Sequence, residues 1–274
     1  MAAANTTDIF SETASVRFGD IDGSDTLTLA AVFDFFQEAA ISHAEILGVG
    51  REAMMRTGRV WVLSRLSVFM ESRPRFGETV TVQSWPRNRH RLFAVRDYNI
   101  LDKAGKPAVR GRGGWLIVDL EKRRPLRPQE AMEQLSLNEG INALPLGASG
   151  DEAPPALPPR FADPQAAGGP VPRRVCYSDL DYNGHMNNTR YVQWIQDLLD
   201  RSILESAKQL RIDINYLSEA LYGEELTLLA APMDGEGAPA GRSADYPAAA
   251  SGAFAVEGRR DGQAVFRAEL RTGA

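Results

Sequence analysis

The chain has 274 residues, a formal net charge of −5, 43% hydrophobic and 24% charged residues. That balance suits one large or two small globular units with real cores and gives no general attraction to nucleic acid. No apolar run reaches the roughly 18 residues of a membrane helix, and the opening MAAANTTDIF has no basic stretch followed by an apolar one, so neither a membrane span nor a secretory signal is expected. Cys176 is the one cysteine, which excludes an internal disulfide and points to a cytoplasmic setting. With three scattered histidines it also argues against a zinc site.

In chain order, ASVRFGD (14–20) reads as a short extended segment. Leu29, Val32, Phe33, Phe36, Ala40, His43 and Leu47 then recur at steps of three and four, the stripe of an amphipathic helix. His43 lies on that stripe and is read as a hydrogen-bonded core histidine. Four runs rich in β-branched and aromatic residues follow: RVWVLSRLSVFME, ETVTVQSW, LFAVRDYNIL and AVRGRGGWLIVDL. DKAGK (102–106) marks a turn between the last two. A long helix followed by a meander of strands predicts an α+β unit whose sheet wraps the helix. Basic residues cluster in RNRHR (Arg87, Arg89 and Arg91, with His90 exposed among them) and in EKRRPLR (Lys122, Arg123, Arg124 and Arg127). On an acidic chain such patches suit an acidic partner, or are solvated strand ends and turns.

Between 128 and 175 the chain becomes rich in Pro, Ala and Gly, which reads as a linker over 141–170 between a unit of residues 1–140 and a unit of residues 171–274. The second unit repeats the order of the first. RRVCYSDLD is extended; residues 188–206 form a helix with Tyr191, Ile195, Leu198 and Ser202 on one face; LRIDINYLS, EELTLLA, GAFAVEGRR and AVFRAELR are strands. Residues 231–252 read as a long loop. The repeat survives residue by residue. Asp20 falls on Asp179, Asp22 on Asp181 and Gln37 on Gln196 at one offset; Arg65 falls on Arg211, Gly77 on Gly223 and Glu78 on Glu224 at a second. The copies differ where chemistry is possible: Asn183 replaces Ser24, His185 replaces Thr26, and Glu219 replaces Arg73.

Asp181, Asn183 and His185 alternate in DLDYNGHMNN, directly before the second helix. If the segment is extended up to His185, all three side chains point to one face. Asn187 or Asn188 is the expected helix cap, and the unpaired N–H groups of that helix end can polarise a carbonyl. A histidine that titrates near neutrality, a carboxylate and an amide suit acyl transfer to water. No G-x-S-x-G nucleophile motif occurs. Cys176 has the opposite parity and is read as a small core residue. Each member also has an ordinary structural reading: Asp181 caps a turn, Asn183 forms a turn pair with Gly184, and His185 merely precedes a helix.

YSDLDYNGHMNNTRYVQWI resembles the signature of the acyl-acyl carrier protein thioesterases of plants and bacteria, with Met186 where valine is common. QEAAISHAEILG, RVWVLSRLSVFMESRPRFGETVTVQSW and VRDYNIL are similar to the helix and strands of the same family. The resemblance implies two tandem hotdog domains, each a long central helix wrapped by an antiparallel β-sheet, with one active site in the second. It implies hydrolysis of fatty acyl-acyl carrier protein without a cofactor, and carries the catalytic set onto Asp181, Asn183, His185 and Glu219. Where plant enzymes often have a cysteine after the glutamate, this chain has Ala220, which excludes a cysteine nucleophile there. The fatty chain is expected inside the first hotdog, with Phe33, Phe36, Trp61, Val62 and Phe69 as candidate walls. Acidic acyl carrier protein gives Arg87, Arg89, Arg91, Lys122, Arg123 and Arg124 a docking role. Neither nucleic acid nor a membrane is an expected partner, and the protein is read as a monomer or a homodimer. An acyl-coenzyme A thioesterase and a non-catalytic acyl-binding protein on the same fold remain the alternatives.

Overall fold

The computed structural model describes residues 9–133, 135–146, 153–161, 170–233 and 250–273. The first helical stripe forms α1 (Leu29–Ile46), capped by Thr28, whose side chain accepts from the Ala31 amide. Its apolar face is buried, with Val32, Phe33 and Phe36 each at most 2% exposed. Strand β1 (Phe10–Ser15) precedes it; the segment expected to be extended over 14–20 leaves that strand after Ser15 and tightens into a 3₁₀ turn over Phe18–Asp20, and a short helix α2 (Arg51–Arg56) follows α1. The four β-rich runs become β2 (Arg59–Met70), β3 (Thr79–His90), β4 (Phe93–Leu101) and β5 (Pro107–Asp119), trailed by a short β6 (Arg124–Leu126) on β5 and one turn of helix, α3 (Gln129–Met132).

The second unit repeats this plan with β7 (Val171–Arg174), α4 (Asn188–Asp197), α5 (Arg201–Ser206), β8 (Gln209–Tyr216), β9 (Glu225–Pro232), β10 (Ala250–Arg260) and β11 (Gln263–Gly273). The sheet order is β1-β3-β4-β5-β2-β8-β11-β10-β9-β7, antiparallel throughout. Each half has the order of the other, reversed, and the halves meet at β2 and β8. There Ser67 lies opposite Asp213, which is also its equivalent in the repeat, so the pseudo-two-fold axis passes through this pair. Ser67 Oγ donates to Asp213 Oδ1 at 2.5 Å. α1 and α4 pack together on the inner face, where the Ala30 amide donates to Gln196 Oε1 at 2.9 Å.

Three further expectations need correction. The helix expected over 188–206 breaks after Asp197, because Asp200 accepts from both the amide and the hydroxyl of Ser202 and starts α5 afresh. The extended RRVCYSDLD stops at Arg174 and gives way to a 3₁₀ turn over Tyr177–Asp179. Cys176 caps that turn and is exposed rather than buried in the core.

The Pro/Ala/Gly-rich stretch is no slack tether where it is described. It straps the outer face of the sheet. Asp97 and Arg112 form a buried bidentate pair, 2.7 Å at both contacts. The same carboxylate accepts from the Ala143 amide and the same guanidinium donates to the Leu144 carbonyl, each at 2.8 Å. Farther along, the Leu157 amide donates to Asn215 Oδ1 at 2.8 Å and Arg160 pairs with Glu269 at 2.9 Å. Residues 147–152 and 162–169 of the linker, and 234–249 of the predicted late loop, lie outside the described residues. No helix among the described residues is long and apolar enough to cross a membrane. Removing one member of a buried ion pair strands the other. Arg112→Met is therefore expected to cost about 3–5 kcal/mol in urea unfolding, and the double variant with Asp97→Leu to recover part of that loss.

Candidate active site

The polar decapeptide does not run extended to His185. It folds into a tight turn: the Asp181 amide donates to the His185 carbonyl at 2.7 Å, and Gly184 takes the left-handed conformation at φ 77°. Asp181 Oδ1 accepts from the amides of Asn183 (2.8 Å) and His185 (3.2 Å), so its structural role as a turn cap is real. The expected one-face convergence is thus replaced by a division of labour. Asp181 and Asn183 line a cavity, while His185 emerges beyond the turn and bridges to Leu221. That bridge sets His185 Nε2 3.4 Å from Glu219 Oε2, both side chains about half exposed. The Met186 amide donates to the Ala220 carbonyl at 2.8 Å, and Asn187 caps α4 by accepting from the Thr189 amide at 3.0 Å. The open end of a helix therefore begins directly behind the turn.

Two further residues hold this geometry, and neither announced itself in the sequence. Arg260 donates to the Glu219 carbonyl at 3.1 Å, reaches Ser218 Oγ at 3.3 Å and pairs with Glu224, which fixes the loop bearing Glu219. Arg51 of α2 stacks on the Tyr182 ring at 3.9 Å, which docks the turn against the first unit.

The first unit contains the same turn without the chemistry. The Asp22 amide donates to the Thr26 carbonyl, and Asp22 Oδ1 accepts from the Ser24 and Thr26 amides. Arg73 occupies the place of Glu219 and forms a part-buried ion pair with Asp22. Burial alone would raise the Asp22 carboxyl, but hydrogen bonds from Ser24 and Arg73 outweigh it and hold the group below the usual carboxylate range.

The cavity has a volume of about 450 Å³, within the roughly 300–1,000 Å³ typical of ligand sites. It lies between α1, α2 and the sheet of the first unit and crosses from Trp61 on β2 past Trp115 on β5 to Arg96 on β4. Of the predicted wall residues, Trp61 lines it, held by an indole hydrogen bond to the Val49 carbonyl at 2.8 Å. Phe33 and Phe36 instead pack in the core, Phe36 stacked on Tyr98 at 4.7 Å, beside a crevice of only about 10 Å³. Val62 and Phe69 lie off this wall. A bulge between Leu63 and Arg65 changes the alternation of β2, so that Leu66, Val68 and Met70 are buried in the core while Val62 is exposed and Phe69 half-buried on the other side.

The predicted docking residues also divide. Arg87 is 2% exposed and donates to Asn142 Oδ1 at 2.6 Å beneath the strap, so it presents no docking surface. Arg89 and Arg91 are exposed at the β3–β4 tip, and Lys122, Arg123 and Arg124 at the β5–β6 turn. The strand registers put both turns at one end of the sheet, the end where Arg59 joins the cavity wall. His90 is half-buried rather than exposed. His43 is a core histidine as expected, 3% exposed and bonded through Nδ1 to Arg96. Among the described residues no cluster of three or more His, Cys, Asp or Glu side chains is disposed to hold a metal ion.

A histidine and a carboxylate in contact, an amide on the adjoining cavity and a helix N-terminus behind them can together activate water and stabilise an oxyanion. Ala220 follows Glu219 and is fully buried, so no thiol stands there. Fold and site define the class: two fused hotdog units, with a histidine–glutamate pair in the second only. The family descriptions for the acyl-ACP thioesterase N-terminal and C-terminal domains match residues 7–135 and 171–253. The chain belongs to the acyl-acyl carrier protein thioesterase family. It is 27% identical over 219 residues to a palmitoyl-acyl carrier protein thioesterase of Cuphea hookeriana, covering 77% of this chain and 52% of that protein. It is 28% identical over 223 residues to a dodecanoyl-[acyl-carrier-protein] hydrolase of Cinnamomum camphora, covering 77% and 56%. The chain thus spans about half the length of these curated relatives. Among solved structures, an acyl-ACP thioesterase from Bacteroides thetaiotaomicron superposes with a TM-score of 0.74 at 25% identity, covering 96% of this chain and 97% of that one. A 12:0-ACP thioesterase from Umbellularia californica shares the fold with a TM-score of 0.76 at 22% identity, covering 96% of each.

The geometry separates structural from chemical roles. Asp181→Ala removes a charged acceptor of two amides and is expected to lower stability by about 1.5–3 kcal/mol. His185→Ala and Glu219→Gln alter half-exposed groups and are expected to stay within about 0.5 kcal/mol. Urea unfolding of the three variants checks this.

Proposed function

We propose that the protein hydrolyses the thioester of fatty acyl-acyl carrier protein and so ends chain growth with release of a free fatty acid. The observation that carries this reading is a first-unit cavity that reaches Asp181 and Asn183 beside the His185–Glu219 pair. An acyl chain in that cavity brings its thioester carbonyl to the turn. His185 and Glu219 orient a water and take its proton as the oxygen attacks the carbonyl carbon. Asn183 positions the reacting groups, and Asp181 holds the turn. Collapse of the tetrahedral intermediate breaks the carbon–sulfur bond, and the proton passes to the departing thiolate. The 3.4 Å spacing of the pair is loose for proton transfer, as catalytic contacts often are before substrate tightens them. The named activities of the family members above support the same substrate class.

Thiol release from a ladder of acyl-acyl carrier proteins, beside matched acyl-coenzyme A, tests the reading. Turnover on the carrier protein is expected, with a loss of about 10²–10⁴-fold in His185→Ala. Turnover on coenzyme A alone would replace the carrier. No turnover on either by the folded wild type would leave an acyl-binding protein. Arg89, Arg91 and Lys122 to Arg124 are proposed to receive the acidic carrier, so KM is expected to rise with ionic strength. A KM flat across the salt series would remove that docking site.

A further inference from the structure

Among the described residues Arg96 has no carboxylate as a counter-charge. It is 9% exposed and forms part of the cavity wall. Nη1 donates to His43 Nδ1 at 3.0 Å and Ser84 Oγ at 2.8 Å, both buried. A guanidinium only donates, so His43 accepts at Nδ1 and is a neutral partner. Asp97, next in sequence, is committed to Arg112 and the strap on the opposite face of the sheet. Glu38 and Glu45 of the cavity rim are exposed, and Glu45 accepts from the Arg51 amide. Among the described residues no carboxylate lies within ion-pair distance of Arg96, and its Nε and Nη2 donate to nothing. Neither atom is sealed inside protein. Burial pulls the guanidinium down from its ordinary pKa, the mark of a charge that the surroundings do not offset.

The free donors are not scattered. With Nη1 taken by His43 and Ser84, the Nε–Nη2 edge remains, and that edge is one of the forks a carboxylate engages with two parallel hydrogen bonds. A chain ending in a methyl group would bury this fork against hydrocarbon, leaving its donors unsatisfied. β4 lies two strand spacings from β2, about 10 Å, so the fork is set apart from Trp61 along the crossing of the sheet.

We propose that the cavity takes acyl chains carrying an oxygen function at their distal end, a carboxylate above all, which the Nε–Nη2 edge of Arg96 binds. The hydrolytic half of this inference rests on the thioesterase reading; the binding half does not. The substrate is then a chain with an acid or hydroxyl at one end and the thioester at the other, and the product is a dicarboxylic or hydroxy acid.

Two measurements on the wild type test it. In the first, acyl-acyl carrier proteins of equal length ending in carboxyl, hydroxyl or methyl are compared by kcat/KM. The expected order is carboxyl, hydroxyl, methyl, with at least a tenfold span. In the second, free decanedioic and decanoic acids are titrated calorimetrically, and the diacid is expected to bind more tightly. Arg96→Met should reverse both rankings, and Arg96→Lys should keep the first but narrow it. A methyl-ended chain hydrolysed best, with the diacid binding no more tightly than the monoacid, overturns the proposal even if the variants do not fold. Diacid binding that depends on Arg96 without hydrolysis of any thioester would sustain this inference and sink the enzymatic one.

Discussion

The molecule turns on one hydrogen bond at its centre, from Ser67 to Asp213 across the β2–β8 seam. Both residues are buried, and Asp213 is a carboxylate that must be satisfied if it is to stay charged there. Arg211 donates to it as well, at 3.1 Å. The seam fixes the register of the two half-sheets, and register fixes which side chains face the helices. It also sets α1 against α4, and with them the first-unit cavity against the second-unit turn. A one-residue slip at the seam would invert every side chain of β2 or β8 and separate the cavity from the His185–Glu219 pair.

The two units use one local device for two purposes. Asp22 and Asp181 each fold their turn by accepting backbone amides. In the first unit Arg73 then closes on Asp22, and the turn becomes a sealed joint. In the second the equivalent position holds Glu219, which meets His185 at the surface and leaves Asp181 open to the cavity. The backbone is conserved within the chain while its electrostatics are reversed. Arg260 and the Arg51–Tyr182 stack supply the support that the ion pair gives the first turn.

Much of this was legible in the sequence because it is local or periodic. The strand runs, the α1 stripe and the internal repeat emerged close to where the structure has them, since β-branched content, helical spacing and duplication are properties of short segments. The misplacements arose where distant chain intervened. Arg87 read as a surface cation because nothing in a Pro/Ala/Gly-rich stretch tells that it folds back over the sheet and brings Asn142 to that side chain. Val62 and Phe69 were proposed as walls from the family resemblance alone: Val62 alternates with its neighbour Trp61 and so faces the other way, and the bulge after Leu63 turns Phe69 off the face that Trp61 lines. The turn around Gly184 failed differently. Its chemistry was visible as an Asp and an Asn-Gly pair, yet a period-two reading assumed extended backbone where Gly184 reverses the chain. Arg96 had no local signal at all, because an arginine in a strand declares its partners only once the strands around it are paired.

Covalent fusion has a consequence for what the fold can evolve. Two identical chains meeting at such a seam would carry the same residue on both sides of the axis, so Arg73 in one turn would entail it in the other. Joined in one polypeptide, the copies escape that symmetry. One turn is free to become a bolt and its unit to open a cavity, while the other carries the His185–Glu219 pair. A cavity in one half beside a histidine–glutamate pair in the other is an arrangement that only copies joined in one chain can hold without repeating it on both sides of the axis.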